Sequence, residues 1–146
     1  MEELTELLSS FWTWAESSYG CKCHDVSRLS FPPFYFPEFT RIREICIQQI
    51  NTGLLPQQID IFLTCMALDS EAEEILDACK TQGTDEFLEA IILCGINHPQ
   101  SEARWQVCEL LRRDIPDKYY FLNILCNDVD PYVRKRANNV SRDNHS

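Results

Sequence analysis

Apolar residues recur along most of this chain at intervals of three and four, the spacing that puts them on one side of an α-helix. In residues 2–19 the stripe is Leu4, Leu7, Leu8, Phe11, Trp14 and Ala15, and Gly20 is a natural stop. Residues 21–37 break the period with three prolines, which predicts an ordered but irregular connection. Its stretch Phe31-Pro32-Pro33-Phe34-Tyr35-Phe36-Pro37 is too apolar to stay in water. A second helix is expected from Glu38 to about Asn51, with Phe39, Ile42, Ile45, Cys46 and either Gln49 or Ile50 inward, ending at Gly53. From Pro56 helices follow one another with short turns.

The second half repeats itself. Ser70-Glu71-Ala72 recurs as Ser101-Glu102-Ala103, and each copy is expected to open a helix. Ala72, Leu76 and Cys79 map onto Ala103, Val107 and Leu110; a third copy matches Val133-Arg134 to Ala103-Arg104 and Ala137 to Val107. Before each copy runs another apolar helix with a cysteine near its end, at Cys65, Cys94 and Cys126. The turns at Asp69-Ser70, Asn97-His98-Pro99 and Asp130-Pro131 supply side-chain acceptors for the unpaired N–H groups of the next helix. In two of them proline stands where a lost N–H costs nothing.

Asp128-Val129-Asp130-Pro131-Tyr132-Val133-Arg134-Lys135-Arg136-Ala137 resembles the inter-helix turn and second helix of HEAT repeats. The likeness extends in weaker form to residues 97–111 and 69–79. It implies an all-α fold: a short right-handed stack of antiparallel helix hairpins (HEAT-like solenoid), its second helices lining an inner surface, with binding as the usual role. The expected organisation is one domain, 1–146. Residues 1–55 form an N-terminal helical cap with the aromatic, proline-rich connection, and 56–146 form three hairpins. The Phe31–Phe39 segment either covers the open end of the stack or offers a contact surface.

A chain of 146 residues is long enough to bury its own core without a metal or disulfide. The acidic start Met1-Glu2-Glu3-Leu4-Thr5-Glu6 is unlike a secretory signal, and no apolar run reaches bilayer length, so a cytoplasmic protein is expected. Among the eight cysteines, Cys46, Cys65, Cys79, Cys94, Cys108 and Cys126 stand among apolar neighbours and read as reduced core filler. The net charge of -10 is uneven: -4 over residues 1–19, 0 over 20–68, -7 over 69–114 and +1 over 115–146. Such a field opposes nucleic acid and anionic membranes and steers a basic partner inward.

Candidate chemistry is sparse. Cys21-Lys22-Cys23-His24 offers three soft ligands, but there is no second Cys/His cluster and His98 and His145 are remote, so an irregular loop is expected rather than a zinc site. A thiol nucleophile at Cys21 or Cys23 with His98 as base lacks a visible third group. No glycine-rich phosphate loop occurs. Arg134-Lys135-Arg136 and Arg142 could meet nucleic acid, but the overall charge opposes it, and Arg134 is expected to pair with Asp130 instead.

The acidic helices are the stronger candidate. In a helix from Ser70 to Lys80, Ala72, Ile75, Leu76 and Cys79 point inward and leave Glu71, Glu73, Glu74 and Asp77 exposed together. On the equivalent later helix Glu102, Trp105 and Glu109 lie off the buried stripe. These seven are the expected partner-binding residues, with Trp105 either an anchor for the partner or packed on the next hairpin. Small bacterial immunity proteins are similar in size and charge. The expectation is a monomeric, non-enzymatic, cofactor-free antitoxin-like protein that neutralises a basic toxin domain, such as a nuclease. The rivals are an adaptor without inhibitory role and a metal- or thiol-dependent enzyme at Cys21, Cys23 and His24.

Overall fold

The computed structural model describes residues 2–144, so Met1 of the acidic start and the remote His145 lie outside the described residues. Those residues form eight α-helices and no strand, an all-α fold. Helix α1 (Glu2–Tyr19) ends where Gly20 adopts φ +69°, a conformation that lacks steric cost only without a Cβ. Its buried side is Leu4, Leu7, Phe11, Trp12 and Ala15, with Leu8 and Trp14 half-buried. Trp12 lies off the expected stripe. It is buried because the following segment folds back and stacks the His24 ring on the indole, centroids 4.6 Å apart.

That segment contains two 3-10 turns, Val26–Arg28 and Pro33–Tyr35. Phe31 and Phe36 pack over α1, with ring centroids 5.2 Å from Trp14 and 5.5 Å from Phe11 respectively, while Phe34 and Tyr35 face outward. The segment is latched from far along the chain: the Gln100 side chain accepts from the Val26 N–H at 2.9 Å and donates to the His24 carbonyl at 2.6 Å.

Helix α2 (Phe39–Thr52) buries Phe39, Ile42, Ile45, Cys46 and Ile50 and stops at Gly53, φ +86°. Helix α3 (Pro56–Leu68) starts on proline, and the Gln58 side chain accepts from the Leu55 N–H at 2.8 Å. Helix α4 (Glu74–Gln82) begins four residues later than the repeat predicts. Helix α5 (Asp85–Gly95) is capped by Thr84, whose hydroxyl accepts from the Phe87 N–H. Helices α6 (Ser101–Leu110), α7 (Lys118–Cys126) and α8 (Pro131–Asn144) complete the chain, with Asp130 capping α8 through the N–H groups of Tyr132 and Val133.

Helices α2, α4, α6 and α8 pack in succession, as do α1, α3 and α5 behind them. Helix α3 also lies against α6, and α7 against α8. Gly95 permits the close approach of α5 to α6, since a Cβ there would run into Val107. Phe11 and Phe62 are wholly buried, each contributing about 1.5–3 kcal/mol of transfer free energy. Cys46, Cys65, Cys79 and Cys108 are core residues, and burial pushes the Cys79 and Cys108 thiols up to about 12. Cys94 is exposed, contrary to its apolar setting. The inward side of α5 is Phe87, Leu88, Ile91, Ile92 and Gly95, and Cys94 falls opposite it beside exposed Leu93. No helix among the described residues is long and apolar enough to cross a membrane.

Candidate functional site

The turn between α3 and α4 organises the acidic residues. Asp69 is buried, and its Oδ2 accepts from the Ile75 N–H at 2.8 Å. Its Oδ1 accepts from Arg43 Nη2 at 2.6 Å and Nε at 3.0 Å. Because the carboxylate reaches six residues ahead, the chain at Ser70, Glu71 and Ala72 must bulge out before α4 can begin. This is why those residues are a turn, and why Ala72, expected to point inward, is exposed instead. The bulge closes at Glu73, which is left-handed at φ 55°, ψ 30°, a conformation costing about 1–2 kcal/mol for a residue with a Cβ.

Two arginine clusters flank this turn. On one side Arg43 lies over the Phe39 ring at 5.0 Å and pairs with Glu74 at 2.9 Å as well as with Asp69. On the other, Arg136 of α8 lies over Trp105 at 4.5 Å and Tyr132 at 5.6 Å. It pairs with Glu109 at 2.8 Å and reaches Glu73 at 3.6 Å. Glu73 and Glu74, adjacent in sequence, thus join α2, α4, α6 and α8 into one surface. Burial raises the Asp69 carboxyl above its ordinary value, against the opposing pull of the Ile75 N–H and Arg43. Burial also acts to raise Glu109, but Arg112 and Arg136 together outweigh it and hold that carboxyl below the usual range.

Of the seven expected partner-binding residues, Glu71, Glu73, Glu74 and Asp77 do gather at the start of α4. Glu109 does not belong with them as an exposed charge: it is buried and its carboxylate is spent on Arg112 and Arg136. Trp105 is half-buried under Arg136 and edge-on to Tyr132 at 5.3 Å, so it is packed on the next helix. Glu102 faces elsewhere, toward Asp25 and Asp130. One of its oxygens is buried without a hydrogen-bond partner, and burial raises its pKa. Sequence reasoning missed Arg43 and Tyr132, and it placed Phe39 in the core and Arg136 in a basic run without joining either to the acidic residues. Only the four-residue spacing of Tyr132 and Arg136 on one helix could have signalled the second cluster.

The arginines are otherwise engaged. Arg134 does not bond to the Asp130 side chain; its Nη1 donates to the carbonyls of Asp128 and Val129 at 2.7 and 3.2 Å. Arg104 makes the matching contacts to His98 and Pro99 at 2.8 and 3.3 Å and also pairs with Asp128. Arg28 and Arg41 pair with Asp25 and Glu3, Arg112 and Arg142 with Asp143, and Arg113 with Asp85. Glu71 and Asp77, by contrast, are exposed and have no ion pair among the described residues. Beside Glu71 lies a cavity of about 250 Å³ lined by Pro33, Phe34, Phe39, Arg43 and Ala72.

The Cys21-Lys22-Cys23-His24 run holds an ordinary loop. The Cys21 thiol donates to the Cys23 carbonyl, His24 stacks on Trp12, and among the described residues no three His, Cys, Asp or Glu side chains are placed together so that they could hold a metal ion. His98 is not available to either thiol. Its Nδ1 accepts from the Gln100 N–H at 3.1 Å and its Nε2 lies 2.9 Å from Asp60 Oδ1. Comparison with known proteins finds no matching family, no matching curated protein and no matching solved structure.

Proposed function

We propose that this chain is a protein-binding module that docks a basic protein on the α4 face, and that it serves as a cytoplasmic immunity-type inhibitor of a toxin domain of the nuclease class. The observation that carries the reading is the distribution of paired charge. The arginines are used inside the molecule, whereas Glu71 and Asp77 remain unneutralised on a face that also offers the outward rings of Phe34 and Tyr132. A cationic protein would gain orientation and encounter rate from the carboxylates and buried area from the rings. The engagement of Arg134 and Arg136 also removes most of the basic run that nucleic acid would need. The repeated contacts of Arg104 and Arg134, thirty residues apart, support the HEAT-like reading of the hairpins.

The test is co-expression with the product of a neighbouring toxin gene, using wild-type chain and a Glu71→Lys, Asp77→Lys double variant. Both sites are exposed, so the variant is expected to fold. Protection by the wild type and its loss in the variant is the expected result. Complex formation without protection favours an adaptor. If no cationic protein associates with either form, the proposal fails.

A further inference from the structure

A second cavity, of about 480 Å³, lies away from the α4 face, between α1, α3 and the turn joining α5 to α6. Leu8, Trp12, Ile61 and Pro99 supply its apolar wall, and Thr5, Ser9 and Asp60 supply its polar edge. The volume falls within the range of small-molecule sites. The indole is fixed in place, stacked by His24 on one side and met edge-on by Phe11 at 5.0 Å.

The charge of this cavity is set by a hydrogen-bond chain. His98 is buried, and its Nδ1 accepts from the Gln100 N–H, so a neutral ring must carry its proton on Nε2 and donate it to Asp60 Oδ1. A neutral donor leaves the full negative charge on Asp60. Among the described residues no arginine or lysine lines the cavity or pairs with Asp60, in contrast to Asp69, Asp128 and Glu109. The Asp60 side chain is 75% exposed and holds its carboxylate at the rim. The Gln100 side chain is spent on His24 and Val26 and cannot turn to a ligand. The cavity therefore combines one fixed anion, nearby hydroxyls and a rigid apolar wall.

We infer that this cavity binds a small primary amine with an apolar or aromatic body, its ammonium on Asp60 and its body against Trp12 and Leu8. The proposal is independent of the α4 face. Phenethylamine is the probe, titrated into the full chain while the Trp12 indole and His98 ring resonances are followed, with 2-phenylethanol as the isosteric neutral control and 3-phenylpropionate as the anionic one. The expected result is saturable movement of both resonances by the amine, with the alcohol weaker by about tenfold and the acid not bound, as loss of a charge-assisted hydrogen bond implies. Asp60→Asn is expected to weaken the amine by a similar factor. Equal binding of amine and alcohol, or no movement of the two resonances at millimolar amine, overturns the proposal. The ligand comparison needs only the wild-type protein, so it decides the matter independently of how the variant folds.

Discussion

The turns at 69–73 and 127–130 hold the same place between consecutive helices and each caps the next helix with an aspartate, yet the two caps are built in opposite ways. Asp130 stays near the surface and caps its own helix through the next two amides. Asp69 goes into the interior, caps α4 from six residues away, and depends on Arg43 from α2 for its charge. The first arrangement is local and can form with the helix. The second is tertiary, requires three elements at once, and forces Glu73 left-handed. The strained backbone and the acidic face thus have a common cause in the burial of Asp69.

The comparison is broken most severely by Arg43→Ala. It strands a buried carboxylate and is expected to cost about 3–5 kcal/mol in urea unfolding. Arg104→Ala removes the corresponding partner of Asp128 but is expected to cost less: each carboxylate keeps one backbone N–H, and Asp128 has more access to water than the fully buried Asp69. Asp130→Ala should cost about 1 kcal/mol, the worth of an ordinary cap. Glu73→Gly is expected to stabilise the fold by up to about 1 kcal/mol: glycine relieves the left-handed strain, and only a long ion pair to Arg136 is lost. If it destabilises instead, the Glu73–Arg136 contact matters more than its 3.6 Å length suggests.

The smallest effect should come from the third turn of the set, at residues 97–100, where an imidazole rather than a carboxylate receives the amide. Burial holds the His98 pKa below the ordinary 6.5, with Asp60 acting to raise it and Arg104 to lower it. A depressed value means the unfolded chain binds the proton first. The stabilising contribution is therefore complete above pH 6.5 and is lost as pH falls through the lower folded value. Unfolding measured from pH 7 to 5 should show a steeper decline in wild type than in His98→Gln.

Much of this fold was legible because its helices carry their signals locally. The stripes of α1 and α2, the stops at Gly20 and Gly53, and the cap at Asp130 follow from neighbours in sequence. What escaped was set by distant partners. Trp12 is buried by residues 20–38 folding back, Glu109 is neutralised by Arg136 of α8, and the start of α4 is displaced by Arg43 of α2. The candidate site was read as a line of carboxylates because acids are visible as a run. The cations and rings that organise them are spread over residues 39 to 136, and no periodicity joins those positions.

The latch made by Gln100 ties the Val26 amide to a position 74 residues later in the chain. During synthesis that amide is left to water until the α5–α6 corner has emerged, so the N-terminal cover closes late. In the finished molecule its hydrogen-exchange rate becomes a remote gauge of whether the α5–α6 corner is open or shut.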